Sequence, residues 1–328
     1  MKKRLLSIIW LILTALFLCA GCSPAPVQTA AAVSLSPASA ATPTVVPTPS
    51  PTPEPTPAIT EEWYVQRTED MAHWMRLYGD MSEEQIAEKL RRMEIDPEKP
   101  MVTLTFDDGP MAGISDKIVD ILAEYDCRAT FYMRGARMKY DATVPLLKKI
   151  LAGGNEIGNH TWKHQILTST PYGDVVRTIR QVNDSVYEAT GYTIKTLRPP
   201  GGYCGPTVCK IAEKFGLAVA LWAQSGNVHE RDPARIAENV HKQIVNGKAL
   251  QPGDIILLHD TKPWMVDAVR LIVPQLLDEG YQLVTVTELM NLSDRGFVPG
   301  EKYHKQFESA TPTPEPPVIT PNPALDGE

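Results

Sequence analysis

The chain has 328 residues and a formal net charge of −7. The acidic balance argues against a nucleic-acid binder, which would carry a basic face. Length alone would suggest two domains, but proline placement corrects that: of 29 Pro, 10 fall in residues 23–60 and 6 in residues 309–328. Both segments are rich in Pro, Thr, Ala and Ser and cannot bury enough apolar surface to offset the entropy of ordering. What folds is residues 61–308, enough for one large core.

The chain opens with Lys2, Lys3 and Arg4, followed by an apolar run from Leu5 to Phe17 and then Leu18-Cys19-Ala20-Gly21-Cys22. This is the layout of a secretory signal. The small residues before Cys22 resemble the bacterial lipobox, which implies cleavage after residue 21 and acylation of Cys22. Cys19 stands where that motif has an aliphatic residue, so an ordinary cleaved signal with a secreted product, or an uncleaved anchor, remains the alternative. Residues 22–60 read as a tether, with alternating prolines from Pro47 to Pro57 favouring extended polyproline II. No second apolar stretch has spanning length.

Residues 61–99 read as a helical extension. Ser82 and Gln85 form a capping-box pattern, with Ile86, Leu90 and Met93 at helical spacing after it. Trp63, Trp74 and Tyr78 are expected to pack this extension onto the main domain; the competing reading is an exposed carbohydrate-stacking set. From Met101 the chain alternates. Strands are expected at Met101–Phe106, Ala129–Met133, just before Arg198, Leu217–Trp222, Asp254–Leu258 and Gln282–Val286. Helices are expected from Ser115 to Tyr125, then at Thr143–Ala152, Asp174–Ala189, Val208–Phe215, Ala234–Val245 and Val266–Asp278. Such βα alternation predicts parallel strands wrapped by helices, an α/β class. The polar clusters follow the strands, where barrel active sites lie. Residues 293–328 read as a tail, Pro/Thr-rich and disordered from about residue 309.

Two clusters carry chemistry. Thr105-Phe106-Asp107-Asp108-Gly109-Pro110 ends a strand in adjacent carboxylates, a costly arrangement unless a cation or proton separates them. His160-Thr161-Trp162-Lys163-His164 sets two imidazoles at i and i+4, expected on one face of a helical turn. Two histidines and one carboxylate leave a coordination position open, the catalytic pattern for zinc.

The segments TFDDGP, EIGNHTWKH, LRPPGG and LLHD, in that order, resemble the polysaccharide deacetylase (NodB-homology) family, carbohydrate esterase family 4. The resemblance spans residues 100–292. It implies a distorted (β/α)7 TIM-like barrel, a monomeric catalytic domain, and one divalent metal, usually zinc, with cobalt, manganese or nickel as alternatives. It also implies hydrolysis of acetyl groups on a sugar polymer. Carried over, Asp108, His160 and His164 become metal ligands. Asp107 becomes the general base, Arg198 the guanidinium that orients it, and His259 the general acid. The Gly201 N–H becomes an oxyanion donor, with Tyr203 and Trp222 on the substrate side.

The sequence departs from the family twice. Gly201 stands where the family has an aromatic residue, a lost wall that Tyr203 could replace. Ser225 and Val228 stand where the family has carboxylates, one of which would pair with His259; Glu230, Asp232 or Asp260 could substitute. A carboxylate partner orients an imidazole and favours its charged form, so its loss predicts a shifted pH optimum or weakened amide hydrolysis. The leading expectation is therefore a lipid-anchored, extracytoplasmic deacetylase of cell-wall glycan, peptidoglycan or chitin-like. The alternatives are a non-catalytic surface glycan binder and an O-acetyl esterase. Cys204 and Cys209 flank Gly205-Pro206 and could close a small loop, which spacing alone does not decide.

Overall fold

The computed structural model describes residues 61–226, 229–242, 249–293 and 296–305. The signal segment, Cys22, the tether, Val228 and the Pro/Thr-rich tail lie outside the described residues.

Two helices precede the sheet, α1 (Glu61–Tyr78) and α2 (Glu83–Arg92). The Ser82–Gln85 capping box forms as expected. Ile86 and Met93 bury with Met71 and Met75 of α1, and Leu90 packs beside them. Trp74 and Tyr78 pack against the main core and Trp63 against a second one, so the packing reading of these aromatics holds. Arg67 of α1 and Arg128 both pair with the buried Glu288, and both also donate to the Met93 carbonyl. The extension is thus fastened to the barrel by charge as well as by apolar contact.

The remaining elements alternate as β1 (Met101–Asp107), α3 (Ser115–Glu124), β2 (Ala129–Met133), α4 (Thr143–Ala152), β3 (Glu156–Asn159), α5 (Tyr172–Thr190), β4 (Thr196–Leu197), α6 (Pro206–Lys214), β5 (Ala218–Ala220), β6 (Gln224–Ser225), α7 (Pro233–Lys242), β7 (Ile255–His259), α8 (Trp264–Asp278), β8 (Gln282–Leu283), α9 (Val286–Asn291) and β9 (Lys302–Tyr303). The strands pair in parallel in the order β6-β7-β1-β2-β3-β4-β5-β9, with β8 also on β1. Consecutive β5 and β6 lie near opposite ends of this path, joined only by Leu221, Trp222 and Ala223. The four Cα–Cα steps from Ala220 to Gln224 span roughly 14 Å at most, so the sheet must curl until its edges nearly meet. An antiparallel bridge from Asp254 to Lys305 further links the two ends. The result is the distorted (β/α)7-type barrel expected from the sequence.

Strand parity positions the site. All seven residues of β1 are buried. Val102, Leu104 and Phe106 join the large core under the helices, whereas Met101 joins the smaller cluster with Tyr132, Ala218 and Ala220. Alternation puts Thr103, Thr105 and Asp107 on that second, inner face.

Some elements differ from expectation. β3 occupies Glu156–Asn159, which the sequence shows only as motif residues. Its Gly158 is obligatory, because a Cβ there would lie 2.3 Å from the Tyr132 ring. β8 stops at Leu283 because Thr285 and Glu288 form a second capping box that turns the chain into α9. β9 joins the sheet beyond residue 292, with Tyr303 fully buried. Among the described residues, no helix is long and apolar enough to cross a membrane.

Candidate active site

The expected site residues converge at the C-terminal ends of the strands. Asp107 ends β1, His160 follows β3, Arg198 follows β4 and His259 ends β7. Register sets His259 directly beside Asp107.

Asp107 is 3% exposed. An isolated carboxylate there would be expensive, and Arg198 supplies the countercharge. Its Nη1 donates to Asp107 Oδ1 at 3.0 Å and to Thr105 Oγ1 at 2.6 Å. Its Nε and Nη2 donate to the carbonyls of Ala220 and Leu221 at 3.1 and 2.8 Å. The guanidinium lies 4.2 Å from the Tyr132 ring centroid. Arg198 is itself fully buried, so this network holds both charges in one geometry.

Asp108 follows in the left-handed region, at φ 73°. This breaks the strand alternation and brings two consecutive carboxylates to one place. His160 Nδ1 donates to the Arg198 carbonyl at 2.7 Å, which leaves Nε2 as the acceptor nitrogen. That Nε2 lies 3.6 Å from Asp107 Oδ2 and 4.0 Å from Asp108 Oδ1. His164 Nε2 lies 3.6 Å from the same Asp108 oxygen. Burial pushes the His160 imidazole below its usual range, against the pull of Asp107 and Asp108.

Asp108, His160 and His164 each offer one ligand atom, all within 4.8 Å of one another. The donor set fits a divalent cation. Two imidazoles and one carboxylate leave a position open, and Asp108 Oδ1 is buried without a hydrogen-bond partner among the described residues. A buried carboxylate oxygen without a hydrogen bond, facing two imidazoles with the Arg134 guanidinium 3.7 Å away, is what a cation site offers.

One expectation needs correcting. His160 and His164 are not on a helical turn; they belong to a loop in which Thr161 and His164 have φ of 63° and 59°. Left-handed Thr is a genuine outlier. Neighbours hold it there: Asn159 Oδ1 accepts from the Thr161 N–H at 2.8 Å, and Gly135 and Ala136 donate to the carbonyls of Thr161 and Trp162. Asn159 also donates to the Ile179 carbonyl and to Asn183 Oδ1 on α5. Its place just before His160 was the only sequence signal for this role. Strained backbone thus gathers at the candidate site, with Asp108, Thr161 and His164 all in the left-handed region.

The residues expected on the substrate side also come together. Gly201 and Gly202 turn at φ 68° and 74°. A Cβ on Gly201 would lie 2.8 Å from the Tyr203 ring, and one on Gly202 would lie 2.9 Å from the Trp222 ring. Tyr203 is 59% exposed, and its ring lies beside Gly201, the position expected to hold an aromatic residue.

Ser225 sits on β6, buried, with Oγ unpartnered among the described residues. Of the three acids that could substitute for the missing carboxylates, Glu230 accepts from the Arg231 and Asp232 N–H groups and Asp232 caps Ala234, both as local turn contacts. Asp260 is fully buried and wedged against Gly109, where a Cβ would lie 2.2 Å from either carboxylate oxygen. Ser115 Oγ donates to Asp260 Oδ2 and accepts from the Met111 N–H. Burial first, then the nearby Asp107 and Asp108, push the Asp260 carboxyl up to about 7. A separate concavity of about 530 Å³, lined by Trp63, Arg67, Trp74, Glu156 and Lys195 among others, lies by the N-terminal ends of the strands, away from this site.

The polysaccharide deacetylase family profile matches residues 94–220. The chain is 33% identical over 202 residues to the peptidoglycan-N-acetylglucosamine deacetylase of Bacillus cereus, covering 60% of this chain and 91% of that protein. It is 34% identical over 197 residues to the peptidoglycan-N-acetylmuramic acid deacetylase PdaC of Bacillus subtilis, covering 60% of this chain and only 40% of that protein's length. Among solved structures, the family 4 acetyl xylan esterase from Clostridium thermocellum, in complex with a cobalt ion, superposes with a TM-score of 0.56 at 29% identity. That match covers 62% of this chain and 98% of the esterase. The fold and the clustered strand-end residues therefore define a carbohydrate esterase-type barrel. The chain belongs to the polysaccharide deacetylase family.

Proposed function

We propose that this protein is a metal-dependent hydrolase that removes N-acetyl groups from cell-wall glycan, releasing acetate. The observation that carries this reading is the Asp108–His160–His164 cluster set against the Asp107–Arg198 pair. The names of the relatives support an acetylated glycan as substrate, peptidoglycan before chitin-like polymers.

Asp108, His160 Nε2 and His164 would hold the cation. When bound, it would supply Lewis-acid polarisation of the acetyl carbonyl and make a water more acidic. Asp107 takes the proton from the attacking water, and Arg198 holds that carboxylate in place. The Gly201 N–H donates to the oxyanion of the tetrahedral intermediate. His259 gives a proton to the departing nitrogen as the C–N bond breaks, since an amine leaves badly as an anion. The products are acetate and a free amino sugar. We further infer export, with Cys22 as the acyl anchor and residues 22–60 as the tether that lets the barrel reach the wall.

Ser225 in place of a carboxylate favours a second substrate class. An O-acetyl ester leaves more easily than an amine and depends less on a strong acid, so acetylated xylan belongs in the test. Acetate release is measured on acetylated chito-oligosaccharide, peptidoglycan and acetylated xylan, with Asp107→Asn and His259→Ala as controls. Release from the amide substrates, lost in Asp107→Asn, is the expected result. Ester-only release would replace N-deacetylation with O-deacetylation, and no release from any of the three would leave a glycan binder.

A further inference from the structure

The turn that carries Gly201 and Tyr203 ends in a thiol pair. The sulfurs of Cys204 and Cys209 lie 3.0 Å apart, and both residues are partly exposed. A disulfide bond is about 2.05 Å long, so closure needs a shift of only about 1 Å. Cys204 is adjacent to Tyr203, and Cys209 lies in the N-terminal half of α6, with its N–H donating to the Gly205 carbonyl. Burial and the neighbouring Cys209 push the Cys204 thiol up to about 12, which disfavours Cys204 as the first attacking thiolate.

The attached turn has reason to need an anchor. Gly201 and Gly202 give it two left-handed, low-barrier positions. The exposed Tyr203 ring and the Trp222 ring close over those glycines. A covalent tie one residue past Tyr203 would reduce the ordering cost of binding against this wall.

We propose that Cys204 and Cys209 are a reversible redox pair whose disulfide ties the Tyr203 turn to α6 and stiffens the substrate side of the site. The oxidant is a disulfide, small-molecule or carried by a thiol oxidase. The Cys209 thiolate attacks it, giving a mixed disulfide and one released thiol. The second cysteine then displaces the other thiol, so the protein loses two protons and two electrons and the oxidant becomes two thiols. The consequence for substrate rests on the deacetylase reading; the bridge itself does not.

The test treats the full chain with oxidised glutathione, quenches it in acid, alkylates free thiols and weighs the peptides. The expected result is joint loss of alkylation at Cys204 and Cys209, a peptide lighter by two hydrogens, and reversal by dithiothreitol. Cys127, 3% exposed, is the internal control and stays reduced. Oxidation should raise Tm by about 4–8 °C for so short a loop, and should lower KM for chito-oligosaccharide with kcat little changed. The Cys204→Ser/Cys209→Ser variant should show neither effect. Alkylation of both cysteines after oxidation, or glutathione adducts without an internal bridge, would overturn the pair. A bridge that leaves both Tm and KM unmoved would overturn its role as a tie. The mass readout stands even if no substrate is cleaved.

Discussion

Replacing Arg198 with Met isolates what the buried guanidinium does. Met fills similar space but leaves Asp107, 3% exposed, without its guanidinium countercharge. It also strands the Ala220 and Leu221 carbonyls that Arg198 now satisfies. Breaking one partner of a buried pair costs about 3–5 kcal/mol. If Asp107 is the base, its loss of position should cost about 10²–10⁴-fold in kcat, the usual worth of such a group. Arg198→Lys keeps the charge but not the four-way fork, and should fall between. Urea unfolding and acetate release read the two effects separately. The decisive comparison is the double variant Asp107→Asn/Arg198→Met. Neutralising both partners removes the orphaned charge, so the double variant should be more stable than Arg198→Met alone. If it is equally or less stable, Arg198 does not serve as the countercharge of Asp107.

Two further outcomes follow from the geometry. Burial alone would raise the Glu288 carboxyl, but Arg128 and Arg67 outweigh it and hold it at about 2. Its unfolded value is about 4.3, so the pairing contributes roughly 3 kcal/mol above that pH, lost as pH falls towards 2. The stability gap between wild type and Glu288→Gln should shrink by about that amount between roughly pH 5 and 2; parallel stability curves would contradict it. Gly109→Ala places a Cβ 2.2 Å from the Asp260 carboxylate, and the Asp108 turn must move. We expect a loss of about 1–3 kcal/mol in stability together with weaker zinc binding by calorimetric titration.

Much of the site was legible because strand parity and motif order are one-dimensional. Asp107 falls on the inner face of β1 by counting from Met101, and the Ser82 box marks α2 by two residues alone. The histidine loop was not legible. An i, i+4 spacing suggests a helical turn, whereas the Asn159 and Thr178 side chains, with the Gly135 and Ala136 amides, hold the Thr161–Trp162 backbone in a left-handed turn instead. The Thr178, Gly135 and Ala136 contacts come from distant parts of the chain. The end of β8 was misjudged for a local reason, the Thr285–Glu288 box within an apolar run. The burial of Asp260 against Gly109 depends on the pairing of β1 with β7, which no spacing reveals.

The most direct test of the account concerns Asp108, His160 and His164 themselves. The protein is stripped with a chelator and titrated with zinc while binding and acetate release are followed together. Wild type should take up one equivalent and regain activity in step with it. Asp108→Asn and His164→Ala should bind far more weakly and stay inactive at the same zinc concentration. Acetate release that persists in the stripped protein, or that survives in both variants, would contradict the claim that these three residues form the working centre.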